Sequence, residues 1–138
     1  MLLLVVMSIS CRTQKTQSTA EPVVTMEDHA SKMYEYPDGV YYVYEFDDET
    51  PYDFDETVII KALLEAGIQP LDIWYKGGSS MCVPPGSDIG MTVIVPPGML
   101  VRLEKVSDQM PSLGFTIPVE PHVGDCAYRV RRYQYANK

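Results

Sequence analysis

The chain has 138 residues and a formal net charge of −8, with 19 acidic against 11 basic side chains and only two histidines. An excess of carboxylates repels phosphate backbones and anionic lipid headgroups, so nucleic acid and an anionic membrane surface are excluded as partners. The imbalance is local: between Glu21 and Tyr75 fourteen carboxylates face only Lys32 and Lys61, whereas the remainder of the chain is slightly basic.

The first residues read MLLLVVMSISC, a short apolar run leading through Ser8, Ile9 and Ser10 to Cys11. The run is far below the roughly 20 apolar residues a membrane span needs. It resembles the end of a bacterial lipoprotein signal peptide, in which a small residue precedes the cysteine that is acylated and becomes the new N-terminus. Ser8 stands where that pattern usually has Leu. The apolar run is also short and lacks a basic leader, as expected if translation starts upstream. The resemblance implies a signal peptide over residues 1–10, lipid attachment at Cys11 and a periplasm-facing position in the bacterial cell envelope, with membrane contact through the lipid alone. Residues 11–22 are polar and rich in Thr and Gln, a composition that buries nothing and reads as a tether. Residues 23–138 then form a single domain, within the usual size range.

With Cys11 consumed by acylation, Cys82 and Cys126 remain. In an oxidising compartment such a pair is expected to bridge. The loop closed spans 45 residues counting both ends, and chain entropy then gives about 4 kcal/mol as an upper figure.

Along the domain, Val23 to Tyr36 holds no clear period and suggests a short helix over 26–34 or an ordered lead-in. Pro37-Asp38-Gly39 is a turn signature. Val40 to Phe46 (VYYVYEF) is dense in β-branched and aromatic residues on both faces and predicts a central strand, with Val40, Tyr42, Tyr44 and Phe46 on one side. The acidic stretch DDETPYDFDE follows. Calcium is bound by six to eight oxygens, which makes Asp47, Asp48, Asp53 and Asp55 weak candidate ligands. Their spacing matches no EF-hand loop, and the simpler role is a solvated loop that caps a helix.

That helix is the clearest element. Asp55 suits its N-cap, with Phe54 and Ile59 as a hydrophobic staple, and Asp53 with Glu56 is an alternative capping pair. Val58, Ile59, Ala62, Leu63 and Ala66 form the apolar face, widened by Ile60 and Leu64. Gly67 and Ile68 suit a Schellman ending, and Pro70 blocks continuation. Leu71 to Tyr75 predicts a strand carrying the single Trp74. Gly77 to Ser80 predicts a turn. Val83-Pro84-Pro85-Gly86 recurs as Val95-Pro96-Pro97-Gly98, and each copy suits a type II turn. Met91–Val95 and Met99–Val106 would then pair as a hairpin with a Pro-Pro-Gly tip. Leu113 to Val119 predicts an edge strand because of Pro118, and Cys126 to Tyr135 the last strand. The sum is an α+β fold: a small, mostly antiparallel sheet with one principal helix packed on one face.

The chain contains no nucleophile elbow, phosphate-binding loop, dinucleotide fingerprint or zinc motif, and His29 and His122 lie far apart in predicted loops. An enzyme is therefore not expected. The expected function is a lipid-anchored protein-binding or accessory module with an envelope protein as partner, for which ten tyrosines supply contact surface. The alternatives are a periplasmic inhibitor or immunity-type protein, whose acidic loop docks in a basic cleft, and a calcium-dependent surface-binding module.

Overall fold

The structure is a computed structural model that describes residues 21–29, 34–83, 86–118, 120–122 and 128–136. The strands are β1 (Val23–His29), β2 (Val40–Tyr44), β3 (Asp72–Cys82), β4 (Met91–Leu103), β5 (Phe115–Thr116) and β6 (Tyr128–Gln134). The one α-helix among the described residues is α1 (Thr57–Glu65). Among the described residues the six strands join one sheet in the order β1-β6-β3-β4-β2-β5, and every pairing is antiparallel. This is the expected α+β fold.

The helix covers one face. Ile59, Ile60 and Leu63 are buried against Tyr42, Ile73, Tyr75, Val101 and Phe115, each aliphatic side chain contributing about 2 kcal/mol by removal from water. The apolar stripe is rotated from the expected one: Val58 is 61% exposed, while Ile60 is buried, because the helix leans its Ile59–Ile60 edge into the sheet. Its end is the expected Schellman arrangement. The Ile68 N–H donates to the Leu63 carbonyl at 3.1 Å, the Gly67 N–H to Leu64 at 3.0 Å, and Gly67 has φ +80°.

The other face carries a smaller core of Trp74, Leu100 and Val130, covered by Tyr34 and Tyr36 from the segment before β2. Trp74 is fully buried, and its indole N–H donates to the Tyr34 hydroxyl at 3.2 Å. Val40, Tyr42, Tyr44 and Phe46 face the helix side, and Tyr41 and Val43 face the Trp74 side, as the alternation requires.

Five expectations are corrected. Val23–His29 is a strand, because β6 supplies a partner that local periodicity does not reveal. Strand β2 is next to the edge, since its outer neighbour β5 has only two residues. Gly77–Ser80 is not a turn but part of β3; the register shifts between Lys76 and Gly78, where Gly77 alone faces Pro96 and Pro97, so the extra residue of the bulge lies on β4. The second Pro-Pro-Gly is not a hairpin tip. Met91–Val95 and Met99–Leu103 form one continuous strand, in which Pro96 and Pro97 have no strand partner. The hairpin is instead β3–β4, turning between Cys82 and Met91 with Gly86 at φ +81°. Finally, Leu113 belongs to a 3-10 turn (Pro111–Leu113) that delivers the short edge strand β5.

Candidate functional site

The two sheet faces are held by buried charges. On the Trp74 face, Asp72 is 2% exposed. Arg102 donates from Nε to its Oδ2 at 2.7 Å, and Arg132 from Nε to Oδ1 at 2.9 Å. Arg132 also reaches Glu27 Oε1 at 3.0 Å, and Arg102 reaches the Asp38 carbonyl at 2.8 Å. The row therefore joins β1, β6, β3 and β4 to the turn before β2. The Arg132 guanidinium lies 5.1 Å from the Trp74 ring centroid, a cation–π arrangement. Burial works against the Arg132 charge, but the hydrogen bonds to Glu27 and Asp72 outweigh it and raise its pKa further.

On the helix face, Glu56 is 3% exposed. It accepts from the Tyr133 hydroxyl at 2.7 Å and from Arg131 Nη1 at 2.8 Å. Burial, then the bond to Glu56, pushes the Tyr133 phenol well above its usual range. The sequence shows Arg129, Arg131 and Arg132 as one basic cluster; alternation along β6 sends Arg131 and Arg132 to opposite faces, each to a buried carboxylate. Both carboxylates are neutralised by arginine and sealed from solvent, which suits them to fixing strand and helix positions rather than to proton transfer.

The acidic loop is exposed at Asp47, Asp48, Asp53 and Asp55. Two of these carboxylates turn back on the chain. Asp47 Oδ1 accepts from the Glu49 N–H at 3.1 Å and the Thr50 hydroxyl at 2.8 Å. Asp55 Oδ1 accepts from the Thr57 N–H at 3.0 Å and from the Thr57 hydroxyl. Those two bonds from Thr57 lower the Asp55 pKa. Asp55 thus caps as expected but from one residue further out, and the N-cap position itself falls to Glu56, whose side chain is drawn into the sheet instead. The described residues hold no group of three or more His, Cys, Asp or Glu arranged for a metal ion.

Cys82, at the end of β3, is buried and is not a free thiol. Cys11 and Cys126 lie outside the described residues, and so does the side chain of His29. His122 is exposed. A groove of about 160 Å³ runs between α1 and β5, lined by Val58, Ala62, Leu113 and Phe115 among others. It is below the roughly 300 Å³ of ordinary ligand pockets and offers almost no polar group to orient a ligand.

The remaining feature is a projecting arm. Strand β6 pairs with β3 only over Asp72–Tyr75, and β2 pairs with β4 only over Leu100–Leu103. Beyond that, among the described residues β3 and β4 pair only with each other as far as Cys82 and Met91. Met81, Val83, Ile89, Met91 and Ile94 are exposed on it. Cross-strand register sets Ile94 on the face of Met81 and Met91 on the opposite one, so exposed apolar side chains occur on both faces of the arm. Reading the sequence alone misses the arm, because the Gly-Gly-Ser-Ser and Pro-Pro-Gly segments look like turns; the signal available is the absence of any charge from Ile89 to Val101.

No protein-family model, no curated protein and no solved structure matches the chain.

Proposed function

We propose that the chain is a lipid-anchored envelope lipoprotein whose domain is a protein-binding or accessory module, with the β3–β4 arm as its contact element. The observation that carries this reading is the polarity of the sheet. Val23 pairs with Gln134, which in turn pairs with Asp72, so β1 starts level with the beginning of β3. Strand β3 then runs 11 residues toward the arm tip, about 35 Å at 3.3 Å per residue. A domain suspended from Cys11 by the polar tether presents its exposed apolar arm away from the membrane, where it meets a protein. A bridge from Cys82 to Cys126 would staple the base of β6 to the arm, and supports the same compartment. Among the described residues no helix is long and apolar enough to cross a membrane.

Two measurements test this. Intact mass from the membrane fraction is expected to show cleavage before Cys11, an added diacylglycerol and the loss of two hydrogens. An unprocessed chain in the cytosol contradicts the anchor. Affinity capture from envelope extract is expected to retain a membrane-assembly component with the native chain and to lose it with Met81→Lys. The exposed acidic loop favours a second reading, an inhibitor that enters a basic cleft. Capture of a hydrolase that survives Met81→Lys and is lost with Asp48→Lys selects that reading.

A further inference from the structure

The groove between α1 and β5 is small and apolar, and an acidic loop joins its two walls. Ile59, Leu63 and Phe115 are buried and form its floor, with Val58 and Ala62 on the helix rim and Leu113 on the 3-10 turn opposite. Val58 is 61% exposed, so the groove opens to solvent. Its volume of about 160 Å³ is close to the roughly 150 Å³ void that admits one benzene ring, the scale of a single leucine or phenylalanine side chain. The loop between Tyr44 and Val58, both of which line the groove, is held there at each end. The Glu45 N–H donates to the Gly114 carbonyl at 3.1 Å, between Leu113 and Phe115. Asp55 accepts from the Thr57 N–H at 3.0 Å, one residue before Val58. Phe46 meets Tyr44 edge-on at 4.7 Å and Phe54 at 5.5 Å, which keeps the base of the loop against the same wall. Seven of the residues from Glu45 to Glu65 are exposed carboxylates, and the single lysine among them, Lys61, lies 3.8 Å from Glu65. Arg131, whose charge also acts on Asp55, is held by Glu56.

We propose that this groove is the docking site for a basic polypeptide segment of a partner, one that carries a single apolar side chain between lysines or arginines. The apolar side chain enters the groove, and the basic residues beside it pair with the carboxylates of the loop. Charge and volume together select the occupant. A second copy, at net charge −8, brings more carboxylates to an acidic rim, and an acidic or phosphorylated segment meets the same repulsion. The groove accepts one side chain and has almost no polar group to orient a small ligand. Exposed charge pairs speed encounter and fix register more than they add affinity, so the anchor supplies binding and the loop supplies selection. This site is separate from the β3–β4 arm and rests neither on the arm as a contact element nor on the lipid anchor. It also differs from an acidic loop entering a basic cleft, which has no need of the groove.

The test is NMR titration of the isotope-labelled full chain with three synthetic peptides of equal length. The first has one leucine with three lysines on each side, the second replaces the leucine by alanine, and the third replaces the lysines by glutamates. The first is expected to shift the amides of Val58, Ala62, Leu113 and Phe115 and to saturate. The alanine peptide is expected to bind roughly tenfold more weakly, the loss of one partly buried aliphatic side chain, and the glutamate peptide not at all. Ala62→Lys, at an exposed helical position, is expected to abolish the shifts with an unchanged circular dichroism spectrum. If that variant misfolds, the peptide series decides by itself. Equal affinity for the leucine and alanine peptides overturns the proposal, because the groove then takes no side chain. Saturable binding of the glutamate peptide overturns it too, as does binding that survives Ala62→Lys in a folded chain. The absence of binding, or shifts that fall on Met81 and Ile94 instead, refutes the groove and leaves the reading of the arm intact.

Discussion

At the scale of single residues, Asp72 is the most consequential side chain. It is the carboxylate that Arg102 and Arg132 share, and their side chains are themselves 17% and 15% exposed. Removing one member of a buried ion pair leaves the other charge without compensation, which costs about 3–5 kcal/mol. Asp72→Ala is therefore expected to lower unfolding free energy by that amount in urea, and a loss below about 1 kcal/mol contradicts the role. The sequence hints at this residue, since an aspartate within LDIWY breaks an otherwise apolar strand. Its partners are 30 and 60 positions away, and only strand register brings them together. The same holds for Glu56. Beside Asp55 it looks like a helix-capping residue, but Tyr133 and Arg131, which arrive from the end of the chain, draw it into the sheet.

At the scale of elements, the helix is the part most completely determined by local chemistry. Gly67 terminates it with φ +80°, and a Cβ added there would meet nothing within 4 Å. Gly67→Ala is thus expected to cost about 1–2 kcal/mol through backbone strain alone, and Gly67→Asn less, because Asn tolerates the left-handed conformation. Equal effects of the two substitutions contradict the left-handed cap. Strand β4 illustrates the opposite case. Two prolines and a glycine are local turn chemistry, but the pairing of Met91–Val95 and Met99–Leu103 with β3 on either side of them carries one strand through.

At the scale of the whole molecule, the tyrosines report how tightly the two faces are closed. Burial raises the pKa of Tyr34, Tyr75 and Tyr135, and pushes that of Tyr41 up to about 12; burial and the Glu56 contact raise that of Tyr133. For such groups the stabilising difference is fully present below the unfolded value of 10.0 and is lost as pH rises through the higher folded values. Phenolate absorbance of the buried tyrosines is expected to rise together with alkaline unfolding, between pH 10 and about 12 for Tyr41. A single transition at the ordinary tyrosine value contradicts the closed faces.

The sequence by itself determined the α+β class, the Schellman ending of α1, and the two-faced alternation of Val40–Phe46. Each of these depends on periodicity or capping within a few neighbouring residues. Only the tertiary structure decided that Val23–His29 is a strand, that β3 and β4 extend into an arm, and that three arginines near the C-terminus divide between faces. Those outcomes depend on partners far away in the chain. Strand pairing supplies hydrogen bonds that override weak local preference, and no window of local sequence contains the partner.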